Sequence, residues 1–172
     1  IGIVREGFGR PESEKEVDEK VRTAAHRFEK LGATISEISI PMHIDGVAIW
    51  TAIAVEGATE LMIKGNGAGT NWQGYYPTSL IEAYARGWRS RPDDLPDTVK
   101  LVLFTGEYMQ RRYHGRYYAK AQNLRRVLRD AYDEALSSYD ILVMPTTPMK
   151  SQPLPPANCS REENLARALE MI

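Results

Sequence analysis

The first forty residues carry a strand, a helix and a second strand in that order, and no other feature of the sequence constrains the fold as strongly. Ile1-Gly2-Ile3-Val4 is an apolar run typical of a buried strand. A helix follows, with apolar residues spaced along one face at Val17, Val21, Ala24, Phe28 and Leu31. Residues 33–40 are rich in β-branched side chains and predict the second strand. Strands joined in this way pair in parallel through a right-handed crossover, so we predict a βαβ unit over 1–40 and the α/β class.

Most of the middle of the chain, residues 44–137, is predicted to be helical. From Ile44 to Lys64 the sequence is dense in apolar residues with few charges, which predicts a mostly buried helix that ends at Gly65. A long helical stretch begins near Asp97. Gly106 and the His114-Gly115 pair are expected to bend or split it.

A loop rich in glycine, amides and aromatic residues spans 65–77. Two interpretations of it are open. It is either a surface Ω-loop packed by its own aromatic side chains, or a mobile cover over an apolar substrate pocket in which Trp72 supplies the wall. No Lys follows the glycines, so the loop does not match a phosphate-binding loop.

The segment 140–148 predicts a strand followed by a rigid loop. Ile141-Leu142-Val143-Met144 is wholly apolar, which is typical of a central strand buried on both faces. Ligands of open parallel sheets gather beyond the carboxyl ends of the strands, where Thr146 and Thr147 stand between two prolines. We therefore predict that these two threonines border a substrate crevice.

Charge and composition argue against several classes of partner. The formal net charge of −1 gives no long-range attraction for nucleic acid or for an anionic membrane, so neither is expected as a partner. No apolar run reaches the roughly 20 residues of a membrane helix. Cys159 is the single cysteine, which suits a reducing compartment, and we expect a cytoplasmic location.

No complete catalytic or metal-binding motif is present in the sequence. A G-x-S-x-G nucleophile elbow is absent. The three histidines, His26, His43 and His114, lie far apart and form no metal-binding spacing. We therefore predict no catalytic residue, no metal site and no cofactor in this chain.

Two capping boxes mark predicted helix starts, at 13–16 and 160–163. The second box opens a helix through Leu165 and Leu169 that meets no stop signal before Ile172. The chain also begins inside the apolar run at Ile1. We therefore expect a fold that is incomplete at both ends.

Three segments together resemble the amidase signature family: the strand and P-T-x-P element Tyr139–Pro148, the opening strand Ile1–Val4, and the helix His114–Gln122. The resemblance implies a partial amidase fold with a mixed β-sheet flanked by helices. It also implies that residues 1–172 are the C-terminal portion of one amidase-type domain. That portion would comprise the βαβ unit 1–40, a helical segment 44–137, the strand and P-T-x-P loop 140–148, and a truncated helix from 161.

The resemblance implies a reaction as well: hydrolysis of carboxylic amides to acid and ammonia through an acyl-enzyme intermediate. The family uses a serine nucleophile, a second serine in a cis peptide and a lysine base, all expected upstream of Ile1. The chain alone is therefore expected to be inactive. Expected partners are an amide substrate and the N-terminal remainder of the enzyme, and a homodimer is left open. The alternatives are a fragment of the amidotransferase subunit that makes ammonia for tRNA-linked amidation, or a non-catalytic α/β module that binds a small molecule or protein.

Overall fold

The computed structural model describes residues 1–70 and 73–170. Three strands and six α-helices form in the described residues: β1 Gly2–Val4, α1 Lys15–Arg27, β2 Ser36–Ile38, α2 Gly46–Gly57, α3 Thr78–Ser90, α4 Asp97–Tyr113, α5 Arg116–Leu136, β3 Leu142–Val143 and α6 Arg161–Glu170. A π-helix, Ala58–Lys64, continues α2 directly. The α/β class is confirmed.

The strands form a parallel sheet in the order β2-β1-β3. Parallel pairing of β1 with β2 across α1 confirms the predicted βαβ unit. Ile3 and Val4 of β1 are almost completely buried, so the central strand carries the core of the sheet. The prediction that 141–144 forms a central strand is wrong for the described sheet. Leu142 and Val143 are only half-buried, because β3 pairs with β1 on one side alone.

The helix starts differ in how far they follow the predicted capping boxes. At α6 the box is supported, because the Glu163 N–H donates to Ser160 Oγ at 3.1 Å. At α1 the box does not form. The N-cap residue there is Glu14, without a side-chain cap, and Ser13 Oγ accepts from the Arg10 N–H instead. The Ser13 hydroxyl therefore binds within the turn before α1 and does not cap the helix.

The chain divides into two compact units. Unit 1 comprises Ile1–Val47 and Leu124–Ile172, and it contains the sheet. Unit 2 comprises Ala48–Asn123 and is helical. Whether the whole chain is a portion of one amidase-type domain stays a prediction.

In unit 2 the π-helix and α4 pack side by side around a buried glycine. A Cβ on Gly106 would lie 2.6 Å from the Val55 carbonyl oxygen and closer still to Thr59 Oγ1. This contact does not cover the whole of the α2 segment. Trp50 and Met62 are more than half exposed, so the prediction of a mostly buried helix over 44–64 is wrong, although the helix forms and ends at Gly65 as expected.

Helices α4 and α5 are separated at the His114-Gly115 pair, where the sequence predicts a bend or a break. His114 and Gly115 both adopt left-handed backbone conformations, with φ of 53° and 75°. Such a pair ends an α-helix, because left-handed residues cannot continue its hydrogen-bond ladder. Gly106 does not split α4, which is continuous from Asp97 to Tyr113, and its lack of a side chain allows close packing.

One helical segment among the described residues, Pro41–Lys64, is long and apolar enough to span a membrane by length and composition alone. The sequence pattern predicts no such segment. The difference arises because a 3₁₀ turn and the π-helix lengthen α2 at its two ends. A single helix of this kind is weak evidence, since core helices of soluble proteins pass the same test. The expected absence of a membrane partner stays a prediction.

Candidate functional site

The carboxyl ends of β1 and β3 lie side by side in unit 1, at the point where the order of the strands reverses. The chain moves from β1 to β2 on one side of the sheet and later returns to β3 on the other. Open parallel sheets bind ligands at such a switch point. Gly7, just after β1, lies so near the chain after β3 that a Cβ on it would be 2.7 Å from Met144 Cβ. We call the loops 5–10, 39–43 and 144–149 the sheet-edge site.

Thr146 and Thr147 are at this edge and both are exposed. Thr147 Oγ1 donates to the Met149 carbonyl oxygen at 3.2 Å, which ties its hydroxyl to its own loop. The sequence therefore located the loop correctly. Contact of either threonine with a substrate stays a prediction.

The start of α1 holds this loop in place. The Glu14 N–H donates to the Pro148 carbonyl oxygen at 2.8 Å. Lys150 Nζ lies 2.7 Å from Glu16 and 3.3 Å from Glu14, and hydrogen bonds with these carboxylates raise the pKa of Lys150. Lys150 is thus a protonated anchor, which is consistent with the absence of a catalytic lysine motif around it.

Glu6 ties the loop after β1 to the chain after β2. Its carboxylate accepts from the Ser39 hydroxyl and from the Ile40 N–H. Burial alone would raise the pKa of Glu6, but these two hydrogen bonds together lower it, so the carboxylate is ionised near neutral pH. Glu6 is therefore a fixed negative charge in the sheet-edge site.

A histidine and a tyrosine that are 89 residues apart meet beside this carboxylate. His43 Nδ1 lies 2.6 Å from Tyr132 Oη, and Tyr132 Oη lies 3.9 Å from Met144 Sδ. Burial lowers the pKa of His43, with a smaller contribution from Arg10, and burial raises the pKa of Tyr132. Both rings are therefore held neutral. The sequence contained no local signal for this pair, because the two residues belong to distant elements.

We expect the stability of the chain to depend on the protonation of His43 below neutral pH. The pKa of His43 in the folded state is below its usual value of about 6.5, so the unfolded state binds the proton more readily. The contribution of neutral His43 is complete above about pH 6.5 and is lost as the pH falls through the folded-state pKa. In urea titrations at pH 7.5 and 5.5, the wild type should lose more stability than His43→Gln. Equal losses in the two proteins would contradict this assignment.

Trp72, the predicted apolar wall, lies outside the described residues. Its role in a substrate pocket therefore stays a prediction.

Unit 2 contains a cavity of about 370 Å³ that the sequence did not indicate. Its lining residues are Glu56, Gly57, Glu60, Leu61, Gln110, His114, Gly115 and Tyr118. The cavity combines apolar walls with two carboxylates and an amide, which are groups that accept hydrogen bonds from an N–H donor. The π-helix contributes two of these residues, and short π-helices are frequent at functional sites.

Glu56 is the most deeply buried acid of the cavity, with 2% of its surface exposed. Its Oε1 accepts from the Tyr118 N–H at 3.1 Å, in the first turn of α5. A carboxylate at this position satisfies a backbone donor that has no partner within the helix, and it lies at the positive end of the helix dipole. Glu56 thus joins α2 to α5.

The ammonium group of Lys64 is held by ion pairs with neighbouring carboxylates. Lys64 Nζ lies 2.7 Å from Glu60 and 2.8 Å from Glu107, and hydrogen bonds with the two carboxylates raise the pKa of Lys64. Among residues 1–70 and 73–170, no group of three or more His, Cys, Asp or Glu side chains is arranged to hold a metal ion.

The comparisons with known proteins agree on one family. The model of the family described as Amidase matches residues 1–167. Over all 172 residues the chain is 39% identical to an enantioselective amidase of Rhodococcus rhodochrous, of which it covers 33%. It is also 32% identical, over 86% of its length, to a glutamyl-tRNA(Gln) amidotransferase subunit of Prochlorococcus marinus strain AS9601, of which it covers 30%. The chain therefore spans about a third of the length of these two curated relatives, and it belongs to the amidase family.

Proposed function

We propose that the protein to which this chain belongs hydrolyses carboxylic amides to acid and ammonia. The observation that carries the proposal is the 39% identity to an enantioselective amidase along the whole chain. We further propose that the nucleophile, its serine partner and the lysine base lie in the part of the enzyme that this chain does not cover. The structural roles of Lys64 and Lys150 support this, since both ammonium groups are engaged by carboxylates.

In this proposal the chain contributes part of the substrate pocket. Thr146 and Thr147 would line one side from the sheet-edge site, and Trp72 would supply an apolar wall. The two threonines follow β3 at the end of the sheet where ligands bind, which supports their assignment. Removal of one hydrogen bond to a bound substrate costs about 0.5–1.5 kcal/mol. We therefore expect Thr147→Ala to lower kcat/KM by roughly 2–10-fold.

The test is to express the complete reading frame in which this chain lies and to measure ammonia release from aliphatic and aromatic amides. We expect turnover with the complete protein and none with residues 1–172 alone. Thr147→Ala and Trp72→Ala should each lower kcat/KM for some of the amides. Thr105→Ala is the matched control, because that exposed hydroxyl donates to the Leu101 carbonyl oxygen of its own helix.

A complete protein that unfolds cooperatively but releases no ammonia from any amide would disprove the proposed reaction. Turnover by residues 1–172 alone would disprove the location of the catalytic residues. If the complete protein does not fold, the matching third of the Rhodococcus amidase can be replaced by this chain and assayed in the same way. A folded but inactive hybrid would also count against the proposal.

An amidotransferase role is the second candidate, supported by 32% identity to the Prochlorococcus amidotransferase subunit. The greater identity and coverage of the amidase match favour simple amide hydrolysis. Substrate choice separates the two roles. Hydrolysis confined to glutamine, and dependent on added partner proteins, would indicate the amidotransferase. The family match disfavours the third interpretation, a stand-alone binding module.

A further inference from the structure

The loop that carries Thr146 and Thr147 is fixed at its two ends. At the far end the Pro148 carbonyl oxygen accepts from the Glu14 N–H at 2.8 Å. At the near end is Met144, the first residue after β3. The place of the two threonines in unit 1 therefore depends on how Met144 is held.

Met144 is held by a backbone and by a hydroxyl group. A Cβ on Gly7 would lie 2.7 Å from Met144 Cβ and 3.6 Å from Met144 Sδ, so the side chain packs against the glycine backbone. Tyr132 Oη lies 3.9 Å from Met144 Sδ and donates to it. Methionine is a flexible side chain, so its neighbours decide where it lies. Gly7 and Tyr132 are two such neighbours here.

The hydrogen bond from Tyr132 to Met144 requires a proton at one particular atom of His43. A tyrosine hydroxyl has one proton to donate, and a thioether sulfur has none. Tyr132 Oη also lies 2.6 Å from His43 Nδ1, so one of these two atoms donates to the other. If the hydroxyl proton points to Met144, His43 must donate from Nδ1. The two contacts therefore exist together only when Nδ1 carries a proton.

The segment that carries His43 is itself tied to the loop after β1. The Glu6 carboxylate accepts from the Ser39 hydroxyl and from the Ile40 N–H. The rings of His43 and Tyr132 meet edge to face, with centroids 6.2 Å apart and planes at 67°, which is a favourable arrangement of two rings. The Tyr132 hydroxyl is thus held by a fixed segment.

We propose that His43 and Tyr132 are positioning residues that act through Met144 on the loop with Thr147. The inference rests on the proposed amide hydrolysis, in which this loop contacts the substrate and the catalytic residues lie elsewhere. What carries it is the continuous series of contacts from His43 Nδ1 to Tyr132 Oη to Met144 Sδ. Loss of an interaction made equally with substrate and transition state raises KM and leaves kcat unchanged. The pair should therefore affect KM.

The first test measures KM and kcat of the complete protein with aliphatic and aromatic amides. Tyr132→Phe keeps the ring and removes the hydroxyl, so KM should rise by about 2–10-fold, the effect of one lost hydrogen bond, with little change in kcat. Tyr139→Phe is the matched control, because the Tyr139 hydroxyl accepts from Ser36 Oγ at 3.1 Å at the amino end of β2. Its KM should equal that of the wild type. An unchanged KM in Tyr132→Phe, or equal rises in the two variants, would overturn the proposal.

A double variant tests whether Tyr132 acts through Thr147. Tyr132→Phe combined with Thr147→Ala should have nearly the KM of Thr147→Ala alone, because a hydroxyl that has been removed cannot be misplaced. Effects that multiply in the double variant would show that the two residues act independently, and would overturn the positioning role.

Nitrogen NMR of the complete protein with ¹⁵N-labelled histidine tests the contacts without reference to activity. The His43 signals are those that disappear in His43→Asn, and above about pH 7 they should show the ring proton on Nδ1. A proton on Nε2 would make Tyr132 donate to His43 and leave Met144 without a hydrogen bond, which would overturn the proposal. His43→Asn retains a donor and should keep a lower KM than His43→Leu. A complete protein inactive on every amide would disprove the reaction itself, whereas an active enzyme that fails these tests would disprove only the positioning role.

Discussion

Gly106→Ala should lower the free energy of unfolding by about 2–3 kcal/mol, although alanine is the better helix former. The added Cβ would lie 2.6 Å from the Val55 carbonyl oxygen and closer still to Thr59 Oγ1. The carbonyl belongs to the backbone of α2 and cannot rotate away. The π-helix and α4 would therefore have to separate, and their contact would be lost. Urea unfolding followed by far-ultraviolet circular dichroism measures the effect.

The matched control is Gly87→Ala in α3. A Cβ at Gly87 meets no atom within 4 Å, so only helix propensity changes there. This variant should be more stable than the wild type by up to about 1 kcal/mol. If the two alanine variants shifted the urea midpoint in the same direction, close packing at Gly106 would not be the reason for its glycine.

Glu56→Ala should destabilise the chain by about 2–3 kcal/mol, because a buried donor loses a charged acceptor. The Tyr118 N–H is in the first turn of α5 and has no acceptor within its own helix. In addition, the negative charge at the positive end of the helix dipole is lost. Urea unfolding of the purified variant measures this loss as well.

Glu56→Gln separates the hydrogen bond from the charge. The amide oxygen of glutamine can still accept from the Tyr118 N–H, so this variant should lose about 1 kcal/mol or less. Glu60→Ala, at a partly exposed carboxylate in the same cavity, serves as the control for removal of an acid. A Glu56→Ala variant as stable as Glu60→Ala would show that Glu56 does not hold α5.

Part of the candidate site could be predicted from the sequence. The loop with Thr146 and Thr147 was placed at the carboxyl end of a strand because a short apolar run followed by proline is a local pattern. Substrate contact by these residues, the role of Trp72, the cytoplasmic location and the absence of membrane and nucleic-acid partners all stay predictions. The cavity lined by Glu56 could not be predicted, since its walls come from segments that are far apart in sequence.

The sequence by itself determined the βαβ order, the parallel class of the sheet, the end of the long apolar helix at Gly65 and the break at His114-Gly115. Each depends on periodicity or on backbone preference within a few residues. Tertiary structure alone decided that β1 is central, that Trp50 of α2 is more than half exposed, and that His43 meets Tyr132 across 89 residues. These features depend on which surfaces come together, and the free energy of that choice is shared among residues that no local pattern connects.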